Sequence, residues 1–166
     1  MQRILILGSP GTGKSTLARS LQKHLQLPLY HLDQAFFRAN WVESPDQLNH
    51  FLQTTLPTST WIMDGNYYHT LPARLQQADT VILLDFPTRL ALFGVLKRYL
   101  THRNRTRPDM AAGCEERLSF SFLWYVLRFK HEKLGSTKRM IKEHPHLAYY
   151  HFKSRGEVKK FLAQLC

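Results

Sequence analysis

Residues Gly8-Ser9-Pro10-Gly11-Thr12-Gly13-Lys14-Ser15 constrain this chain more than any other stretch, because their spacing, G-x-x-x-x-G-K-S, is that of a phosphate-binding loop. The spacing has a physical basis. Glycines let the backbone curl until successive N–H groups converge on one phosphate, and the positive end of the next helix adds to the field. Lys14 then reaches the β- and γ-phosphates of a nucleotide, Ser15 offers its hydroxyl to Mg²⁺, and Thr16 follows directly. The flanks agree with the motif. Arg3-Ile4-Leu5-Ile6-Leu7 reads as a strand buried on both faces of a parallel sheet, and Leu17, Leu21 and Leu25 recur every four residues along a helix that also carries Ala18.

Past this unit the chain alternates. Strands are expected over 27–32, 60–63, 80–85 and 147–152, with helices over 45–56, 72–77, 87–98, 115–133, 136–144 and 158–165. Ser44 with Gln47 and Ser154 with Glu157 have the form of capping boxes. Gly135 separates two helices and Pro145 ends the second. The longest apolar stretch, 120–129, contains Ser121 and Arg128, is too short to span a bilayer and reads as a buried helix. Residues 101–113 lose apolar periodicity, are rich in arginine and read as a mobile loop. Alternating strands and helices predict one α/β domain with a parallel sheet and helices on both faces, and ligands in such folds bind at the carboxyl ends of the strands. Four of the five expected strands end in something polar: the phosphate loop, Asp33, Asp64 and Asp85.

Each of these carboxylates has two readings. Asp85 has the form of a Walker B residue that holds Mg²⁺, or it sits at a helix N-terminus before Pro87. Asp64 orients the metal or binds the phosphate acceptor, or it makes an Asp-Gly turn with Gly65. Asp33 takes the proton of an acceptor hydroxyl, or it caps the next helical turn. In Phe36-Phe37-Arg38-Ala39-Asn40-Trp41 the rings suit core packing better than stacking on a substrate, with Trp41 the candidate for the latter. Arg74 either faces solvent or points to the acceptor.

Lys and Arg exceed Asp and Glu by 23 to 12, a net charge of +11, which suits polyanionic partners, whether nucleotide or nucleic acid. Lys97, Arg98, His102, Arg103, Arg105 and Arg107 concentrate part of that charge. A closing lid of this kind would stabilise a transferring phosphoryl group, and the competing role is to track a nucleic-acid backbone, along a stripe continuing through Lys130, Lys133, Lys138, Arg139 and Lys142. Cys114 and Cys166 lack metal-ligand spacing and read as free thiols of a reducing cytoplasm, and the immediate entry into a strand leaves no room for a signal peptide.

A wider set of motifs occurs in one order. Besides the phosphate loop it comprises Tyr30-His31-Leu32-Asp33, Trp41, Trp61-Ile62-Met63-Asp64-Gly65-Asn66-Tyr67, Arg74-Leu75, Ala78-Asp79, Leu84-Asp85-Phe86-Pro87, Lys97-Arg98 and Thr106-Arg107-Pro108-Asp109-Met110. Together these resemble the bacterial topology modulation proteins, relatives of adenylate kinase. The resemblance implies an adenylate kinase-like fold, a five-stranded parallel sheet of order 2-3-1-4-5, ATP binding with Mg²⁺, and a lid near 98–114. It likens Asp64-Gly65 to the acceptor-side Asp-Gly of nucleotide kinases and Arg98 to a phosphate-contacting arginine at the lid hinge. Where adenylate kinases carry another arginine one turn earlier, Gly94 stands here, so stacking on the base by that residue is absent. The expected activity is transfer of the ATP γ-phosphate to a small acceptor such as a nucleotide or nucleoside. Lys14, Asp33, Asp64, Arg98, Arg103 and Arg107 would be its catalytic residues, Asp33, Trp41, Asp64 and Arg74 would meet the acceptor, and Ser15, Asp64 and Asp85 the metal. The alternative is an ATP-binding protein that acts on DNA topology.

Overall fold

In the first strand Ile4 and Ile6 enter one core while Leu5 and Leu7 enter another, so an unbroken apolar run supplies both faces of a central strand. The computed structural model describes residues 1–165; Cys166, expected to be a free thiol, lies outside them, whereas Cys114 is free and buried. The first half of the chain runs β1 (Arg3–Gly8), α1 (Lys14–Leu25), β2 (Leu29–His31), α2 (Leu32–Phe36), β3 (Phe37–Arg38), β4 (Val42–Glu43), α3 (Pro45–Thr55) and β5 (Trp61–Asp64). It continues with α4 (Leu71–Gln77), β6 (Thr80–Leu84), α5 (Thr88–His102), α6 (Phe120–Phe129), α7 (Gly135–Lys142), β7 (Ala148–Phe152) and α8 (Arg155–Ala163).

Five strands form one sheet in the order β2-β5-β1-β6-β7, every neighbouring pair parallel. Counting only strands of this sheet, that is the expected order 2-3-1-4-5. Leu17, Ala18 and Leu21 of α1 and Phe161 of α8 cover the face carrying Ile4, Ile6, Ile62 and Ile82. Leu48 and Leu52 of α3, Leu71 and Leu75 of α4 and Ile141 of α7 cover the opposite face. Burying each such aliphatic side chain contributes about 1.5–3 kcal/mol, and the two layers fix the strand ends on which the polar residues sit.

Five expectations need correction. Ser44 begins α3 without a side-chain cap, and the reciprocal half of the box is missing too, since Gln47 accepts from Arg38 Nε at 3.1 Å and the Ser44 N–H goes to the Phe36 carbonyl at 2.7 Å. At Ser154 the cap does form: its hydroxyl accepts from Glu157 N, while Glu157 reaches back to accept from Lys153 N, one residue before the cap. Gly135 breaks nothing. Its dihedrals are helical (φ −63°, ψ −46°), and a π-helical stretch, Lys130–Leu134, joins α6 to α7 in one run. That run begins at Phe120 rather than near 115. Nor is α6 buried: Val126 and Phe129 are, but Phe120 is 92% exposed and Trp124 59%. Finally, the segment after α5 is packed rather than free of core residues, since Met110, Ala111 and Cys114 are buried together against Phe37 and Trp41.

Candidate functional site

The loop between β1 and α1, the carboxyl ends of β2 and β5, the inner side of α5 and the 103–119 segment surround a cavity of about 1230 Å³. Ligand sites for single small molecules usually span about 300–1,000 Å³, so this one has room for two reactants. Pro10, Gly11, Thr12, Gly13, Lys14, Ser15 and Thr16 line it. Gly8 and Ser9 do not. Gly8 is clamped from behind by the Asn66 amide, which accepts from its N–H at 3.2 Å and donates to its carbonyl at 2.9 Å. Ser9 is buried, and its carbonyl receives the Thr12 hydroxyl at 2.7 Å and Lys14 Nζ at 3.1 Å. These contacts hold the curl of the loop and aim the ammonium inward. Burial lowers the Lys14 pKa, and Asp64 and Asp33 offset part of that.

The absence of a side chain at position 94 has a packing cause. A β-carbon on Gly94 would strike the Gly11 carbonyl, and one on Gly11 (φ +79°) would strike Ala91 of the same helix. Helix α5 and the phosphate loop thus touch backbone to backbone, and no larger residue fits between them.

Asp33 and Asp64 share the cavity wall. Asp64 lies 3.0 Å from His31 Nδ1. Asp33 accepts the Tyr67 hydroxyl at 2.6 Å; burial raises its pKa, and the tyrosine's hydrogen bond counters only part of that. Trp41 also faces the cavity, its indole N–H held by the Glu115 carbonyl at 2.9 Å and the Arg117 guanidinium 5.0 Å above its ring. The hairpin β3–β4 that carries it lies beside Asp33, through Phe36 and Phe37, which meet at 4.8 Å edge to face.

Arg98 and Arg107 line the cavity too, and the buried Glu116, off the cavity wall, links the two. It lies 2.9 Å from Arg98 Nε and 2.6 Å from Arg107 Nε, while Arg107 Nη1 reaches Asp109 at 2.8 Å. Asp109 in turn accepts the Ser15 hydroxyl at 2.9 Å. A chain of charges therefore ties the arginine segment to the phosphate loop. Burial works against the ionised Asp109, but Arg107 and the Ser15 hydroxyl outweigh it and leave the carboxyl below its usual range.

Three expected residues lie elsewhere. Arg103 is exposed, 6.0 Å from the Tyr99 ring and off the cavity wall. Arg74 is fully buried and faces neither solvent nor acceptor. Its guanidinium donates to the carbonyls of Gly65 (2.9 Å), Tyr67 (3.0 Å) and Asn66, so it braces the turn after Asp64, and burial pulls its pKa down to about 9. Asp85 turns away to Lys130 (2.8 Å), Lys138 (2.9 Å) and His151 (2.9 Å). Burial pushes its pKa up, yet those three donors bring it to about 2, and its oxygens are engaged by them, off the cavity wall. The same pairing takes Lys130 and Lys138 out of the basic stripe that a nucleic acid would need.

Sequence reasoning gave no role to His31, Asn66, Tyr67, Asp109, Glu116 or Arg117. His31, Asn66, Tyr67 and Asp109 stood inside motifs, but no spacing in a sequence reveals a contact between Ser15 and a residue 94 positions away. The oxygen set at Ser15 and the facing carboxylates suits Mg²⁺, a hard ion that completes its shell with phosphate oxygens and water. No group of three or more His, Cys, Asp or Glu placed to hold a metal unaided occurs among the described residues. None of their helices is long and apolar enough to cross a membrane.

Residues 4–85 match the profile of the family described as ATPase family associated with various cellular activities (AAA). No curated protein sequence matches the chain. Among solved structures, shikimate kinase from Bacteroides thetaiotaomicron is similar over 99% of this chain and 95% of its own, at 12% identity and a TM-score of 0.58. Shikimate kinase from Acinetobacter baumannii, in complex with shikimate, is similar over 99% and 91%, at 14% identity and 0.56. The Aquifex aeolicus shikimate kinase follows at 98% and 95%, 17% and 0.52. At such identities the likeness is one of fold: a P-loop kinase-like α/β domain, with a phosphate loop at the end of its first strand.

Proposed function

We propose that this protein transfers the γ-phosphoryl group of Mg²⁺–ATP to a hydroxyl of a small acceptor. The observation that carries the reading is the opening of Lys14 and Ser15 onto the same cavity as Asp33 and Asp64. Gly11 through Thr16 would cradle the ATP phosphates, with Lys14 on the β- and γ-oxygens and Ser15 on the metal. Bound Mg²⁺ supplies charge neutralisation on the phosphates. Asp33 accepts the proton of the attacking hydroxyl; its raised pKa makes it a better base than an ordinary aspartate while the Tyr67 hydroxyl keeps it oriented. Asp64, steadied by His31, faces the acceptor and the metal's water ligands. Arg98 and Arg107 would meet the charge that develops on the transferring oxygens as the 98–114 segment closes as a lid.

The acceptor end has Trp41 and Phe37 as apolar walls and Arg117 as a cation. Nucleotides and nucleosides, which the resemblance to topology modulation proteins and adenylate kinase implies, fit that description. So do small hydroxylated acids of the kind bound by the A. baumannii shikimate kinase. ADP release is to be measured with Mg²⁺–ATP against nucleoside monophosphates, nucleosides and hydroxylated acids. One class should raise it well above the acceptor-free background, and Lys14→Ala should abolish both the signal and ATP binding by calorimetry. Tight duplex DNA binding at physiological salt, with no acceptor stimulating ADP release, would overturn the reading.

A further inference from the structure

With Asp85 turned to Lys130, Lys138 and His151, the phosphate loop lacks the carboxylate that its metal was expected to find at the end of β6. Another carboxylate stands in contact with Ser15. Asp109 Oδ2 lies 2.9 Å from Ser15 Oγ, both residues line the cavity, and Asp109 is itself buried. Mg²⁺ holds its oxygens octahedrally at about 2.0–2.1 Å, which sets adjacent ligand oxygens about 2.8–3.0 Å apart. The Ser15–Asp109 separation matches such an edge.

Packing holds Asp109 in place. Gln34 Nε2 donates to the Pro108 carbonyl at 2.8 Å, Arg107 Nη1 reaches Asp109 at 2.8 Å, and Met110 and Ala111 are buried just beyond. The same segment is fastened to the β3–β4 hairpin, where Asn40 N donates to the Gly113 carbonyl at 3.0 Å and the Cys114 thiol to the Arg38 carbonyl at 3.1 Å. A group that depends on Asp109 thus depends on the closed position of the arginine segment and on the acceptor-side hairpin beneath it.

We infer that Asp109 is a ligand, direct or through one water, of the Mg²⁺ that accompanies the nucleotide, so that metal binding and closure of the arginine segment are one event. This rests on the phosphotransferase reading above. It departs from the expectation that β6 supplies the carboxylate: here the arginine segment brings it, together with the cations that meet the phosphates.

The test is Mn²⁺ titration by electron paramagnetic resonance, using the full chain with a non-hydrolysable ATP analogue, in wild type, Asp109→Asn, Asp109→Glu and Asp85→Asn. Asp109→Asn should weaken Mn²⁺ binding about tenfold or more, the loss typical when a partner of a metal site is removed, while metal-free nucleotide affinity holds. Asp109→Glu, which keeps the charge but displaces it, should fall between, and carries the test if the asparagine variant fails to fold. Asp85→Asn should bind Mn²⁺ as wild type does. Mn²⁺ with the analogue should protect Arg103 and Arg105 from trypsin in wild type and not in Asp109→Asn. If Asp109→Asn leaves Mn²⁺ affinity unchanged and instead tightens metal-free nucleotide binding, Asp109 is an occupant that phosphate displaces, and the inference falls. A wild-type protein that binds no nucleotide overturns the phosphotransferase reading and this inference together.

Discussion

Asp64 ends and Asp85 follows a strand that is buried on every residue, and both lie at the carboxyl edge of one parallel sheet. Their surroundings nevertheless differ. Asp64 has a single imidazole at 3.0 Å and opens onto the cavity beside Lys14. Asp85 has two ammonium groups and an imidazole within 2.9 Å and is shut away from the cavity. The difference arises from what crosses the sheet edge. Over β5 the chain leaves in the Gly65–Tyr67 turn braced by Arg74, which keeps the edge open. Over β6 the π-helical stretch between α6 and α7 delivers Lys130, with Lys138 two turns later, to close it. A strand-end carboxylate is therefore available for chemistry only where no neighbouring helix has already neutralised it. Arg74 and Arg107 repeat the contrast among cations, one sealed on carbonyls and the other on the cavity wall.

The hardest test of this contrast is Asp64→Asn. It should lower kcat by about 10²–10⁴-fold, the range for removing a group that handles protons or charge in the transition state, with little change in melting temperature. Retained turnover with a lowered melting temperature would make Asp64 as structural as Asp85. Next in size, Arg74→Leu strands the carbonyls of Gly65, Asn66 and Tyr67, at roughly 1–3 kcal/mol for each buried group left unpaired, to be read from the denaturant midpoint. Recovery of normal stability in Arg74→Leu would show the turn to be held without it.

Asp85→Asn should cost about 1–2 kcal/mol, moderated because Lys130 and Lys138 are each about a third exposed, and should spare turnover. The pH dependence has a definite sign. The folded pKa is depressed from 3.8 to about 2, so the wild-type advantage over Asp85→Asn is full above the ordinary value and fades as pH falls toward 2. A gap that widened in acid would contradict the cation cluster. Smallest of all, Arg103→Ala should change kcat/KM by no more than about 0.5 kcal/mol, as for a surface residue away from the reaction, whereas Arg107→Ala should reduce it strongly. Equal losses in both would place Arg103 in the closed site after all.

The sequence determined much of the fold by local rules. G-x-x-x-x-G-K-S between an apolar run and a four-residue leucine repeat leaves little choice but strand, loop and helix. Alternation then dictated a parallel sheet with helices on both faces, whereas the strand order was expected only from the resemblance to topology modulation proteins. Asp33 and Asp64 were legible because each sits within two residues of a strand end, where the chain's own direction turns it to the cavity, and Lys14 and Ser15 because the phosphate-loop spacing sets them at the start of α1. Tertiary structure alone decided the rest. Arg74 was unreadable because its partners are backbone carbonyls, which carry no sequence signature. Gly135 behaved as a helical residue because its intrinsic penalty, about 1 kcal/mol, is small beside the packing of the helix that contains it. Asp85, Asp109 and Glu116 were settled by contacts with Lys130, Ser15 and Arg98, none of them a neighbour in the chain, and a charge's role depends on which partner reaches it. Local pattern fixes where a side chain starts; only packing fixes what it meets.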